Sequence, residues 1–341
     1  MKKIALIAFT ENGFKQLDLL RNKLVSESFT AYDKSVSTLN EFVENAFKTQ
    51  DAIIFISATG IAVRKIANLV KSKDEDPAVI VMDERANFVI PMLSGHLGGA
   101  NELAAEIAEI TGAIPVITTA TDVNHKFAVD LFTKKNNCVI LDISKIKEVS
   151  AKVLKGEKVG LVSDWKVTGK APREVEIITR KEAKDYKVGI CLSLGNTRQE
   201  DSPFEVTLNA VPKICTLGVG CRKETDSKVF EERVLEVLNS GGISIESVKK
   251  LRTIDIKKEE RCILDFCNKY NLDFETYTAS ELMEVPGNFK SSEFVRKVTG
   301  ADNVCERSAV KGSGGGKIIL NKTGGSGVTV AVAIEDWECK F

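Results

Sequence analysis

FVIPMLSGHLGGANELAAEIAEITGAIPVIT, residues 88–118, moves through three patterns in turn. A short apolar run (Phe88–Ile90) gives way to a glycine-rich loop. A helical pattern follows from about Asn101 to Thr111, Gly112 stops it, and a second short run begins at Pro115–Thr118. Two buried strands joined through a helix are the unit of a mostly parallel sheet, because the crossover must pack back on one face. The pattern repeats upstream. Ile4–Phe9 reads as a buried strand, Thr10 as a helix cap, and Phe14, Leu17, Leu20 and Leu24 follow near helical spacing. Thr38-Leu39-Asn40-Glu41 reads as a capping box opening a helix. Ala52–Ile56 and Ala78–Met82 are further strands, with a helix through Ile66, Leu69 and Val70 after Thr59-Gly60. The expected fold is a three-layer α/β domain with a mostly parallel sheet over residues 1–135.

Downstream the texture changes. Residues 136–210 are rich in Lys and Glu and hold short β-type runs at Val159–Val162, Val175–Ile178 and Val188–Leu192, so a small α/β middle or linker domain is expected. From Ile214 a second α/β pattern begins: the strand Ile214–Val219, a helix carrying Phe230, Val234, Val237 and Leu238, helices at Glu259–Tyr270 and Ser292–Thr299, and final strands at Lys317–Asn321 and Val328–Ile334. Residues 211–341 are therefore read as a C-terminal α/β domain.

The 341 residues carry 48 Lys and Arg against 48 Asp and Glu. The three segments have net charges of −2, +2 and 0. No segment is strongly basic, which argues against a protein held to nucleic acid by phosphate contacts. No apolar stretch approaches the roughly 18 residues of a membrane span. The eight cysteines are scattered without a C-x-x-C, and there are only two histidines, so no metal site is expected. This cysteine usage fits a reduced, cytoplasmic protein.

Four segments have the makings of a site. In "FISATGIAVRKIA" (55–67) a helix begins after a strand, and its free N–H groups and dipole attract anions, with Thr59, Gly60, Arg64 and Lys65 nearby. Thr59 is alternatively just the helix cap. "PMLSGHLGGANELAAEIAE" (91–109) combines Ser94 and His96 with Gly98, Gly99, Asn101 and Glu102. His96 can take a proton near neutral pH, with Glu102 orienting it or acting as a base itself, and paired glycines let a ligand approach the backbone. A buried structural histidine and a carboxylate complementing the helix dipole are the plainer readings. The G-x-S-x-G of a nucleophile elbow is absent, since position 92 is Met, which leaves Ser94 a poor nucleophile candidate. "TTATDVNHKFAVD" (118–130) places Thr121, Asp122, Asn124 and His125 in a loop after a strand, with Asp122 alternatively a helix cap. "LGVGCRKETD" (217–226) suits a backbone nest with Arg222 better than a dinucleotide loop, because Lys223 stands at the third glycine position.

Together these segments resemble one family. "SATGIAVRKIA", "DPAVIVMDE", "FVIPMLSGHLGGANELAAEIAEITGAIPVITTATDVN" and "FAVDLF" look like the N-terminal signature of the CbiG family, the cobalt-precorrin-5A hydrolases of anaerobic cobalamin biosynthesis. "LGVGCRKET", "TIDIKKEE", "SSEFVRKVTGADNVCERSAV" and "GVTVAVAI" look like that family's C-terminal domain, shared with CobE-type proteins. The stretch between corresponds to the family's variable middle domain.

The resemblance implies a cobalt-bearing, ring-contracted tetrapyrrole as substrate. Its ring-A δ-lactone is opened and a two-carbon unit leaves as acetaldehyde, giving cobalt-precorrin-5B. His96, Glu102 and Ser94 are then the catalytic candidates, with backbone N–H groups of Gly98, Gly99 and Ala100 as oxyanion donors. Thr59, Gly60, Arg64, Gly98, Gly99, Asn101, Thr121, Asp122, Arg222 and Lys257 are candidates for binding substrate, and the grip on its carboxylates is expected to make a positive cleft. The sequence reads Asn321-Lys322 where the family pattern suggests Pro before the lysine, which leaves Lys322 without an assigned role. No resident cofactor or metal is expected, since the substrate brings its own cobalt and the macrocycle accepts electrons. The expected partners are the corrinoid itself, transient contact with the pathway's methyltransferases and a second copy in a homodimer; neither nucleic acid nor membrane is among them. A non-catalytic corrinoid carrier is the alternative.

Overall fold

In the computed structural model, which describes residues 2–72, 75–195 and 202–341, the apolar run after Lys2 forms a buried strand, β1 (Lys3–Ala8). Thr10 ends it and caps α1 (Glu11–Lys23), accepting from the Gly13 N–H at 3.1 Å. There follow β2 (Ser28–Ala31), α2 (Leu39–Thr49), β3 (Ala52–Ile56), α3 (Thr59–Ile66), β4 (Ala78–Met82), β5 (Phe88–Leu93), α4 (Ala100–Thr111), β6 (Ile114–Pro115) and α5 (Ala120–Val123). Thr38 and Glu41 form the expected capping box at the start of α2. Contacts divide the chain into two units, Met1–Leu131 and Phe132–Phe341, the division falling within α6 (Val129–Lys135).

The first unit holds a six-stranded sheet in the order β2-β1-β3-β4-β5-β6. β1, β2, β3 and β4 are parallel, whereas β5 runs antiparallel to β4 and β6 follows the direction of β5. One core packs Leu17 and Leu20 of α1 and Leu103 and Ile107 of α4 on one face of the sheet. The other packs Val43 and Ala46 of α2 and Ala62 and Ile66 of α3 on the opposite face. The three-layer expectation therefore stands. Two sequence expectations shift: α3 stops at Ile66, and Pro115–Thr118 contributes only the first residue of its run to a strand.

The second unit contains two five-stranded sheets. The first, in the order β10-β8-β11-β12-β7, is built from β7 (Cys138–Ile140), β8 (Val159–Ser163), β10 (Val175–Ile177), β11 (Val188–Leu192) and β12 (Val206–Pro212), with α7 (Lys145–Leu154) packed against it. The two-residue strand β9 (Val167–Thr168) pairs with β18 (Cys339–Lys340), which ties the chain's last residues to this part, and Phe132 stacks on Phe341. The middle segment thus has its own sheet yet clusters with the C-terminal segment rather than separating as a third unit.

The second sheet runs β15-β14-β13-β17-β16, from β13 (Cys215–Cys221), β14 (Val248–Ile254), β15 (Asp273–Tyr277), β16 (Lys317–Gly325) and β17 (Val328–Ile334). Phe230 and Val234 of α8 (Ser227–Ser240) and Phe266 of α9 (Arg261–Tyr270) cover one face. After α10 (Ala279–Met283) and α11 (Glu293–Thr299), helix α12 (Val304–Gly312) covers the other with Cys305, Ala309 and Val310. α12 lies so close to β13 that a Cβ on Gly218 would stand 1.7 Å from the Cys305 carbonyl oxygen, so only glycine fits there.

Candidate functional site

The loop between β5 and α4 folds back on itself. Ser94 adopts the left-handed region (φ 55°) and its hydroxyl donates to the Asp76 carbonyl at 2.8 Å. The N–H groups of Gly99, Ala100 and Asn101 donate to the carbonyls of His96, Ser94 and Gly95 at 3.0–3.1 Å. The loop's own carbonyls therefore satisfy the start of α4. This corrects the assignment of Gly99 and Ala100 as oxyanion donors, because their N–H groups are already used. A Cβ on Gly98 would meet the Ser94 Cβ at 2.4 Å, so the glycine is needed for the loop to close.

That fold aims His96 inward. Its Nδ1 lies 3.0 and 3.1 Å from the two Asp130 carboxylate oxygens, and its Nε2 lies 2.8 Å from Asp122 Oδ2. Both carboxylates only accept, so both ring nitrogens must donate and His96 is an imidazolium. The Asp130 hydrogen bond, opposed by burial and aided by both carboxylate charges, raises its pKa to about 9. The same pairing holds Asp130 below the usual carboxylate range despite its burial. A general base needs an open lone pair, and this geometry leaves His96 none. Among the described residues Ser94 hydrogen-bonds no base, and Glu102 is exposed in the first turn of α4.

Asn101, buried at the start of α4, donates from Nδ2 to Asp122 Oδ2 at 2.7 Å and to Thr119 Oγ1 at 3.0 Å. Asp122 lies within α5 rather than capping a later helix, and its side chain is 31% exposed, far more open than His96 or Asp130. Two donors hold its Oδ2, while its Oδ1 accepts no hydrogen bond from the described residues. Next to it, Thr121 is buried and its hydroxyl oxygen has no partner among the described residues. An unsatisfied buried hydroxyl beside a half-open carboxylate leaves room for a polar atom of water or ligand. Asn124 and His125 are exposed.

The structure separates the other N-terminal candidates from this cluster. Thr59, Gly60 and Arg64 follow β3, at the carboxyl ends of the parallel strands. Because β5 runs back against β4, with Leu93 opposite Val79, the Ser94–Gly99 loop lies at their amino ends. Five strand residues, on the order of 15 Å, lie between the two ends. Ala58 rather than Thr59 is the N-cap of α3, Arg64 is exposed with its guanidinium against Gly60, and Lys65 donates to Asn40 at 2.6 Å.

In the second unit a cavity of about 1340 Å³ opens at the carboxyl ends of β13 and β14, where ligand sites of α/β sheets collect. Arg222, Lys257 and Lys322 all line it. This cavity is not simply a positive cleft, since the carboxylates Glu224, Asp226, Glu259, Glu260 and Asp265 line it as well. Lys257 pairs with Glu260 at 2.7 Å, Lys223 with Glu224 at 3.6 Å and Arg261 with Asp265 at 3.7 Å. Among the described residues Arg222 and Lys322 have no ion-pair partner, which leaves these two cations for a ligand's carboxylates. The Arg222 N–H donates to the Gly327 carbonyl at 3.0 Å, so it is not available to a ligand in the nest expected there. Ile256, Phe294 and Val298 line the same cavity and are exposed at 59%, 76% and 62%, an apolar surface suited to the face of a large ring. Cys221, at the end of β13, sits 3.9 Å from Cys262. Either thiol can be the donor of this contact, and the pairing holds Cys221 below the usual thiol range and Cys262 above it.

Sequence reading missed Asp130, the apolar rim and the nearness of Cys262 to Cys221. Only the Asp130 miss had a local signal, the "FAVD" that follows the Asp122 loop.

Three family profiles match the chain in order: cobalamin synthesis G N-terminal over residues 41–122, cobalamin biosynthesis central region over 127–212, and cobalamin synthesis G C-terminus over 215–333. A cobalt-precorrin-5A hydrolase from Priestia megaterium is 34% identical over 84% of this chain and 79% of its own length. Another, from Salmonella typhimurium, is 34% identical over 83% of this chain and 81% of its own. The solved structure of a cobalamin biosynthesis protein G homolog from Sulfolobus solfataricus covers 98% of this chain and 97% of that chain, at 23% identity and a TM-score of 0.42.

Proposed function

The chain belongs to the CbiG family of cobalamin synthesis and is a cobalt-precorrin-5A hydrolase, and we propose how its residues divide that work. The observation that carries the activity is the 34% identity to a hydrolase of that name across 84% of the chain. The substrate is a corrinoid intermediate.

Lactone opening needs a water stripped of a proton as it attacks the acyl carbon, and cleavage of the acyl C–O bond frees the acetate arm. The following step removes a hydroxyl proton, breaks the carbon–carbon bond towards the conjugated ring and releases acetaldehyde. Both steps need a proton acceptor. We assign it to Asp122, whose Oδ1 is open while Oδ2 is fixed by His96 and Asn101. His96 is a positioning residue: as an imidazolium between two carboxylates it orients Asp122 and offsets its charge. The unpartnered hydroxyl of Thr121 supports a polar group bound beside it.

The cavity of the second unit supports corrinoid binding on different grounds. Arg222 and Lys322 suit peripheral carboxylates, and Ile256, Phe294 and Val298 suit the ring face. Contact with pathway methyltransferases, a homodimer and a cytoplasmic location belong to the same proposal; the eight cysteines are free thiols, which fits a reducing compartment.

Anaerobic incubation with cobalt-precorrin-5A, with acetaldehyde trapped as its hydrazone, tests this reading. Release of acetaldehyde in step with substrate loss is expected. Binding of the corrinoid without acetaldehyde would leave only a carrier. Arg222→Ala and Lys322→Ala are expected to raise KM with little change in kcat, whereas Asp122→Asn is expected to lower kcat.

A further inference from the structure

We propose that Cys221, Cys262 and Glu260 form a binding site for a soft divalent cation of the zinc type, its fourth coordination position open to the cavity. The three ligand atoms lie within 4.8 Å of one another, the one such cluster of three among the described residues. The sulfur–sulfur distance of 3.9 Å is far too long for a disulfide. It is the right length for one edge of a tetrahedron: Zn–S bonds of about 2.3 Å place two thiolates about 3.8 Å apart.

The surroundings fit as well. Cys262 is buried and sits in the first turn of the ten-residue helix α9. Glu260 is the N-cap of the same helix, with its side chain 11% exposed, so one helix start delivers two of the three ligands. Cys221 and Glu260 both line the cavity, which places the remaining position where a water or a ligand's carboxylate or carbonyl oxygen reaches it.

Charge closes too. Two thiolates and a carboxylate carry −3, and a divalent cation with the Lys257 ammonium, 2.7 Å from Glu260, restores neutrality. Lys257 thereby becomes an outer partner that orients the carboxylate. On loading, each protonated thiol exchanges its S–H bond for a metal–sulfur bond and releases one proton, with no change of oxidation state. The site stands on these three side chains and not on the corrinoid reading.

Reduced, chelator-stripped full-length protein is titrated anaerobically with Co²⁺ as a spectroscopic substitute for Zn²⁺. One equivalent is expected to produce sulfur-to-cobalt charge-transfer absorption and the intense visible bands of tetrahedral Co²⁺, with proton release, and Zn²⁺ is expected to abolish the bands. Cys221→Ser and Cys262→Ser are expected to weaken binding by more than about 100-fold, beyond the roughly 10–100-fold cost of outer-partner changes. Glu260→Gln keeps the charge-transfer band but binds more weakly, and Cys191→Ser changes nothing. Absence of thiolate bands in the unsubstituted protein overturns the proposal, as does their persistence in Cys221→Ser, whatever the acetaldehyde assay shows.

Discussion

At the scale of single residues, the chemistry of the N-terminal cluster turns on how many carboxylates face one imidazole. His96 faces two, and the expected consequence is a pH-dependent stability. Its folded pKa, about 9, stands above the unfolded value near 6.5. Its stabilising contribution is therefore complete below pH 6.5 and lost as the pH rises through about 9. Asp130 is shifted down from 3.8, so its share is present above that value and lost as the pH falls below it. Urea midpoints of the unsubstituted protein are expected to drop between pH 6.5 and about 9, and those of His96→Ala are expected not to show that drop. The same substitution removes a buried ion-pair partner of Asp130, and the urea midpoint at neutral pH is expected to fall. Asp122→Asn keeps the size of the side chain and removes the proton acceptor; a loss of about 10²–10⁴ in kcat is expected.

Elements decide which residues can meet. The apolar runs and caps located most strands and helices of the first unit, because burial and capping act over a few residues. The direction of β5 was not legible. The step from β4 is a short turn in which the Asp83 carboxylate accepts from the N–H groups of Asn87 and Phe88, and it sends β5 antiparallel. That single reversal carries His96 to the end of the sheet opposite Arg64. Helix α12 was missed for another reason. It has only nine residues, with the polar Glu306, Arg307 and Ser308 interrupting its few apolar positions, so no long apolar period marks it in the sequence. Its tight seat on β13 predicts that Gly218→Ala forces the helix outward, at a cost of about 3 kcal/mol or more seen as a lower thermal midpoint. Thr38→Ala, which removes half of a capping box on an exposed helix end, is expected to cost only about 1 kcal/mol by the same measurement.

For the whole molecule, the zero charge balance says little about the ligand, because binding depends on which charges are left unpaired. In the cavity most cations are offset by neighbouring carboxylates, and Arg222 and Lys322 remain. Corrinoid affinity is therefore expected to fall only modestly with added salt, as for a protein with two ligand-directed cations rather than a basic face. Each unit has its own buried core. Residues 132–341 expressed alone are expected to unfold cooperatively in urea.

The amino-acid sequence alone determined the α/β class, the places of the capped helices α1 and α2, the family and the reaction, because these depend on local periodicity and on motifs kept in order along the chain. Tertiary structure alone decided that His96 is a clamped imidazolium rather than a base, that Asp122 is the open carboxylate, and that Lys322 shares a cavity with Arg222 and Lys257. It also brought Cys221 and Cys262, 41 positions apart, to 3.9 Å. The physical reason is the same in each case: protonation and coordination depend on distances of a few ångströms between atoms far apart in sequence, and strand direction and sheet order set those distances.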